Sequence, residues 1–266
     1  MNIYVELTRR FNAGGLIRAV LAGGQAVVLH KLAIMSKDGD WILREDAEAV
    51  AHILGVLGEY GASYRFGAPL DVRWLRGGWS SHFEFRAAGL RVRTDFVSRP
   101  PRLPLSDLEA LWASREHRDP PFVGARALVE MKKTNREKDY AVIGELARLL
   151  VETEDQILCS RSARDLLDLR ARQPTTYERL QRKRPALRAA EEGREALERA
   201  LDEERRQLMH ANERRLERYM SAAQQWAALW PEVSRAVAGL SLSEAHRVVS
   251  ARAAGILPER VEGLEP

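Results

Sequence analysis

The N-terminal half of the chain alternates between strand-like and helix-like spacing of its apolar positions. Leu16 to Ala22 reads as a buried strand ending at Gly23-Gly24, and Gln25 to Leu32 as a short helix. Asp38 to Arg44 is the next strand. Glu45 to Tyr60 is helical, with Ala49, Val50, Ile53, Val56 and Leu57 on one side. Short strands follow at Ser63–Phe66, Val72–Leu75 and Ser81–Arg86, with Gly77-Gly78 turning into the last of them. Leu90–Val97 alternates: Leu90, Val92, Thr94 and Phe96 take one face, and Arg91, Arg93, Asp95 and Val97 the other.

Pro100, Pro101 and Pro104 end the sheet region. Ser106-Asp107-Leu108-Glu109 is spelled as a capping box, with Leu105 as its staple, so a helix is predicted from there to the break at Pro120-Pro121. Ala125–Lys133 and Lys138–Val151 read as two more helices. From Glu154 onward strand signals vanish, and Arg, Glu, Leu and Ala dominate. Pro185 is placed to open a long helix over Ala186–Trp230. In it Trp226 and Trp230, four apart, read as core or interface. A second capping box, Ser241-Leu242-Ser243-Glu244, precedes a short final helix, and the tail after Leu257 reads as loose. The expected architecture is α+β. A small mixed sheet flanked by helices would occupy residues 1–153. An all-helical region would follow over 154–266, with its long helix near 186–230.

A chain of 266 residues can bury a substantial core, and two domains are the expectation. The net charge of +4 and pI near 9.4 suit a polyanionic partner without requiring one. The single cysteine, Cys159, excludes an intrachain disulfide and a cysteine-rich metal site, so a reducing cytoplasm is the expected location. The apolar stretch Ala19–Leu29 is too short to span a bilayer, and no membrane is expected among the partners. The six histidines are scattered without metal-ligand spacing and read as structural or exposed.

Candidate chemistry concentrates between Ala22 and Asp40. Ala22-Gly23-Gly24 is followed, after thirteen residues, by Asp38-Gly39-Asp40. Carboxylates one residue apart on an extended segment point the same way. The paired glycines let backbone approach a bulky group such as a phosphate. With Asp95 on a second strand, the set suggests a magnesium site for nucleotide phosphates. Taken alone, Lys37-Asp38-Gly39-Asp40 also reads as an acidic turn. Eight arginines lie between Arg65 and Arg102, and Arg91 and Arg93 share the strand face of Asp95. They would balance the acids or meet a triphosphate or a nucleic acid.

These residues resemble the polymerase-β-like nucleotidyltransferases. That family carries an apolar residue, Gly, then Gly or Ser, a spacer, and Asp-x-Asp or Asp-x-Glu, with a third acid on a later strand. Ala22-Gly23-Gly24, Asp38-Gly39-Asp40 and Arg93-Thr94-Asp95-Phe96 follow this order. The middle position, usually apolar there, is Gly39 here. The chain looks most like the stand-alone bacterial branch, which includes the abortive-infection-type nucleotidyltransferase toxins. Those share a later helix with a lysine and then a basic-Asp pair, matched by Glu130-Met131-Lys132-Lys133 and Lys138-Asp139. They often place a serine two residues before the first Asp, as Ser36 stands here. The acid often found three residues after the basic-Asp pair is Val142. The resemblance spans roughly residues 13 to 150.

The resemblance implies magnesium-dependent transfer of a nucleoside monophosphate from a nucleoside triphosphate to a hydroxyl acceptor, with two magnesium ions. Asp38, Asp40 and Asp95 would hold the metals, and Asp95 would also help deprotonate the acceptor. Gly23 and Gly24 would offer backbone N–H groups to the triphosphate. Lys132 would neutralise a β- or γ-phosphate, with Lys133 as fallback, while Ser36 and Asp139 would join the nucleotide site. RNA, transfer RNA first, is the favoured acceptor, ahead of a small molecule or a protein. A toxin–antitoxin or phage-defence role would bring a cognate protein partner. Read on the residues alone, Lys132-Lys133 is a solvated helix face, Asp139 a local cap or ion-pair partner and Ser36 a cap or turn residue. A catalytically weakened fold serving as a binding or regulatory subunit is the alternative function. Self-association through the Ala186–Trp230 helix is a third.

Overall fold

The computed structural model describes residues 2–113 and 119–264. Contacts divide the chain into two compact units, Met1–Val123 with Glu217–Pro266, and Gly124–Leu216. The boundary expected at residue 153 falls inside the second unit, and the chain from Glu217 onward returns to the first.

The first unit opens with a helix that the apolar spacing had not suggested, α1 (Ile3–Phe11). Asn2 caps it by accepting from the Tyr4 N–H, and Tyr4, Leu7 and Phe11 form its buried stripe. β1 (Ala19–Ala22), α2 (Gly23–Leu29), β2 (Gly39–Leu43), α3 (Ala47–Glu59) and β3 (Ser63–Gly67) follow. Val72–Leu75, expected as a strand, is instead the short helix α4. Asp71 caps it by accepting from the Arg73 N–H, and four residues are too few for apolar spacing to separate the two periods. β4 (Ser81–Ala87), β5 (Leu90–Val97) and α5 (Leu105–Ala113) complete this part. Because α5 already begins at Leu105, Ser106 lies inside it rather than capping it.

The strands form one mixed five-stranded sheet in the order β1-β2-β5-β4-β3. β2 and β5 are parallel, and the other neighbours are antiparallel. Trp41, Phe83, Phe96 and Phe11 are fully buried on one side of it. Trp41 stacks on Phe96 at 5.3 Å, and its indole N–H donates to the Thr8 hydroxyl at 2.9 Å.

The second unit contains α6 (Ala125–Lys132), α7 (Glu137–Arg148), α8 (Thr153–Cys159), α9 (Ala163–Arg172), α10 (Pro174–Leu180) and a 3-10 turn over Pro185–Glu191. Its own core gathers Ile157, Leu166, Tyr177, Leu180, Leu187 and Leu197. The single long helix expected over 186–230 is divided. The 3-10 turn ends before Gly193, whose φ of +103° no helix allows, and α11 runs over Arg194–Ala222.

Two helices of the first unit complete the chain, α12 (Gln224–Ala236), which continues through Pro231, and α13 (Leu242–Ala253). Trp226 and Trp230 meet edge-on at 5.7 Å, in keeping with the core reading. The Ser241–Glu244 capping box is fully formed at the start of α13. The tail after Leu257 is held rather than loose. The Trp74 and Trp79 indoles donate to the Leu257 and Pro258 carbonyls, and a Cβ on Gly77 would lie 1.8 Å from the Glu259 carbonyl oxygen. Among the described residues no helix is long and apolar enough to cross a membrane.

Candidate active site

The parallel register of β2 on β5 sets Asp40 directly beside Asp95 and Trp41 beside Phe96. Side chains alternate along a strand, so the two rings enter the core and the two carboxylates share the opposite face. Across the sheet the row continues through His82 of β4, the partner of Asp95, to Phe66 of β3. Asp38 immediately precedes β2. Its Oδ1 is buried and lacks a hydrogen-bond partner, and the Arg93 guanidinium lies 3.8 Å away.

Two glycines fit closely around this group. Gly23, at φ +54°, abuts Asp40: a Cβ there would lie 1.9 Å from the carboxylate oxygen. A Cβ on Gly39 would lie 2.4 Å from the Trp41 ring and 2.5 Å from the Tyr4 ring. That close packing leaves no room for a side chain at position 39. Gly24 stands against Ser36, whose hydroxyl donates to the Asp38 carbonyl at 3.4 Å. Gln25, buried, donates to the Ser36 carbonyl at 2.9 Å, and Asn2 donates to Gln25 at 3.2 Å. The Tyr4 hydroxyl fastens the Lys37 carbonyl at 2.6 Å. Burial pushes that phenol upward in pKa, and the Asp38 charge adds to the shift. The loop carrying Asp38 is thus held at three successive residues, 36 to 38.

Asp95 is engaged by cations and donors that only the register reveals. Its Oδ1 lies 2.7 Å from His82 Nδ1 and 3.6 Å from Arg65 Nη1. Arg65 also lies 3.5 Å from Glu84, which receives Arg91 from β5. His82, Arg65, Gln25 and Tyr4 escaped the motif-based reading. Their signal lies in strand pairing and in the capping of α1, not in spacing along the sequence.

Of the residues expected at the site, Gly23, Gly24, Ser36, Asp38, Asp40 and Asp95 thus come together in the first unit. Lys132, Lys133 and Asp139 belong to the second. There the Lys132 amine pairs with Asp139 at 3.2 Å, both side chains buried, and Lys133 pairs with Glu130 at 2.7 Å. Asp139 also accepts from the Thr134 hydroxyl at 2.6 Å and from Arg136 at 2.9 Å.

Among the described residues, no three His, Cys, Asp or Glu side chains gather closely enough to hold a metal ion by themselves. Magnesium does not require such a cage. It is usually held by one or two carboxylates, with water and substrate phosphates filling the octahedron. The neighbouring Asp40 and Asp95 carboxylates and the Asp38 oxygen, which accepts no hydrogen bond, are hard oxygen donors of the kind that ion takes. No family model, no curated protein and no solved structure matches this chain.

Proposed function

We propose that the chain is a magnesium-dependent nucleotidyltransferase, moving a nucleoside monophosphate from a nucleoside triphosphate to a hydroxyl acceptor. The observation that supports this most is the register of Asp40 on Asp95, with Asp38 at the strand entrance and the Gly23 backbone against Asp40. Nucleotidyl transfer is an in-line displacement at phosphorus, in which a protein chiefly positions groups and offsets charge. Magnesium, when bound, would offset charge on the attacking and leaving oxygens. Asp38, Asp40 and Asp95 would hold it. Gly23 and Gly24, packed against Asp40 and Ser36, would offer backbone N–H groups to the triphosphate, and Arg93 would receive phosphate oxygens. The role of Lys132, like an RNA acceptor and a cognate protein partner, rests on the resemblance alone.

A second reading has its own motive. Asp95 already meets His82 and Arg65, which suits a binding or regulatory subunit that keeps the site without turnover. One experiment separates the two. Purified protein with magnesium and an α-labelled triphosphate should label an acceptor, and Asp40→Asn should abolish the label. Triphosphate binding without any transfer favours the regulatory subunit. Full labelling by Asp40→Asn removes the catalytic assignment.

A further inference from the structure

Ser80, His82 and Asp95 form a hydrogen-bonded series at the start of β4. Ser80 Oγ lies 2.7 Å from His82 Nε2, and His82 Nδ1 lies 2.7 Å from Asp95 Oδ1. An ionised carboxylate only accepts, so a neutral imidazole carries its hydrogen on Nδ1 and donates it to Asp95. Nε2 then keeps its lone pair, and the Ser80 hydroxyl donates to it. Nucleophile, base and orienting acid stand in the order that activates a serine.

The ring is fixed on its other sides as well. Phe66 stacks on it at 4.3 Å and 24°. Gly67, at φ +89°, makes the room: a Cβ there would lie 2.6 Å from the ring and 2.7 Å from the Ser80 carbonyl. The Trp226 indole donates to the Gly67 carbonyl at 2.8 Å and steadies that turn. The His82 side chain is 15% exposed, and Ser80 is half-buried. The Arg65 guanidinium faces the same carboxylate and suits phosphoryl oxygens.

We propose that Ser80 is a nucleophile toward phosphate esters, activated by His82 and held in line by Asp95. The Ser80 oxygen bonds to phosphorus, and the leaving group departs with the bonding pair. The hydroxyl proton passes to His82 Nε2 and then to the leaving group, which leaves a phosphoester on Ser80. The step uses neither a triphosphate nor a cation, but it shares Asp95 with the nucleotidyl-transfer reading, so its test is run without free metal.

Full-length protein in a metal chelator is treated with a fluorophosphonate probe, from which fluoride leaves, and the label is mapped by peptide mass. The expected result is one label per chain on Ser80, lost in Ser80→Ala. His82→Gln slows labelling roughly a hundredfold, the low end of what a positioned base contributes. In Ser80→Cys the new thiol alkylates roughly tenfold faster than glutathione, because the imidazole favours the thiolate. That variant decides the matter where His82→Gln fails to fold. Folded wild type unlabelled at Ser80, His82→Gln labelling at the wild-type rate, or a Ser80→Cys thiol no faster than glutathione overturns the proposal.

Discussion

Replacing Gly23 by alanine puts a methyl group where Asp40 already sits. The new Cβ would lie 1.9 Å from Asp40 Oδ2, 2.5 Å from its Cγ and 2.8 Å from its Cβ. Side-chain rotation can move the oxygen. It cannot move the Asp40 Cβ, which is fixed to β2, so the strand or the Gly23 turn has to shift. Such overpacking costs about 1–3 kcal/mol. The left-handed backbone, at φ +54°, costs alanine about 1 kcal/mol more. Gly14→Ala separates the two contributions: its φ is +84°, and nothing lies within 4 Å of the added Cβ. Gly14→Ala should therefore lose only about 1 kcal/mol, or ~2–4 °C in melting temperature. Gly23→Ala should lose about 2–4 kcal/mol in all. Because a misplacement near 1 Å costs on the order of a hundredfold in rate, the proposed nucleotide transfer should fall by about that factor. Thermal and urea unfolding of both variants, with the labelled-triphosphate assay, give the comparison. A Gly23→Ala protein that unfolds with Gly14→Ala and transfers at the wild-type rate would refute the close fit of Gly23 and Asp40.

Two further outcomes concern stability. Gly77→Ala drives a Cβ into the Glu259 backbone oxygen, which cannot rotate away, so it should cost more than about 2 kcal/mol by urea unfolding. That cost should vanish when both versions are truncated after Leu257; a penalty surviving truncation would contradict the contact. Burial alone would raise the Asp139 carboxyl pKa, but the Thr134 hydrogen bond and the Lys132 and Arg136 charges hold it below the usual range. With the folded value below the unfolded one, this stability is present above pH ~4 and is lost as pH falls through the folded value. Asp139→Asn leaves Lys132 buried without its counter-charge and should cost about 3–5 kcal/mol at neutral pH. The difference from wild type should narrow at pH ~3; a difference unchanged between the two pH values would contradict the ion-pair account.

Much of the sheet was legible because period-two alternation is strong where one face is buried. Val92, Thr94 and Phe96 enter the core, so the opposite placement of Asp95 could be read before any pairing was known. What pairs with what could not. The neighbours of Asp95 are Asp40, His82 and Arg65, the first two set by register across separate strands. His82 therefore looked like one of several scattered histidines. The helix α4 was hidden by its length, and the α1 stripe of Tyr4, Leu7 and Phe11 was blurred by the apolar Ile3 and Val5 beside it. The capping boxes show how local chemistry competes with its context. Ser241-Glu244 forms both bonds, whereas Pro104 lets α5 begin one residue before Ser106. The tail from Leu257 looked loose because its partners, Trp74, Gly77 and Trp79, lie far away in sequence. Gly193 was visible as a glycine in the sequence, but its left-handed φ, which divides the long helix, was not.

The measurement that bears most directly on the proposed activity is a crystal structure with magnesium and a non-hydrolysable nucleoside triphosphate. It should place cation density between the Asp40 and Asp95 carboxylates, with Asp38 as a further ligand and the α-phosphate against them. Triphosphate bound elsewhere, or Asp95 facing only His82 and Arg65 with no cation nearby, would contradict it.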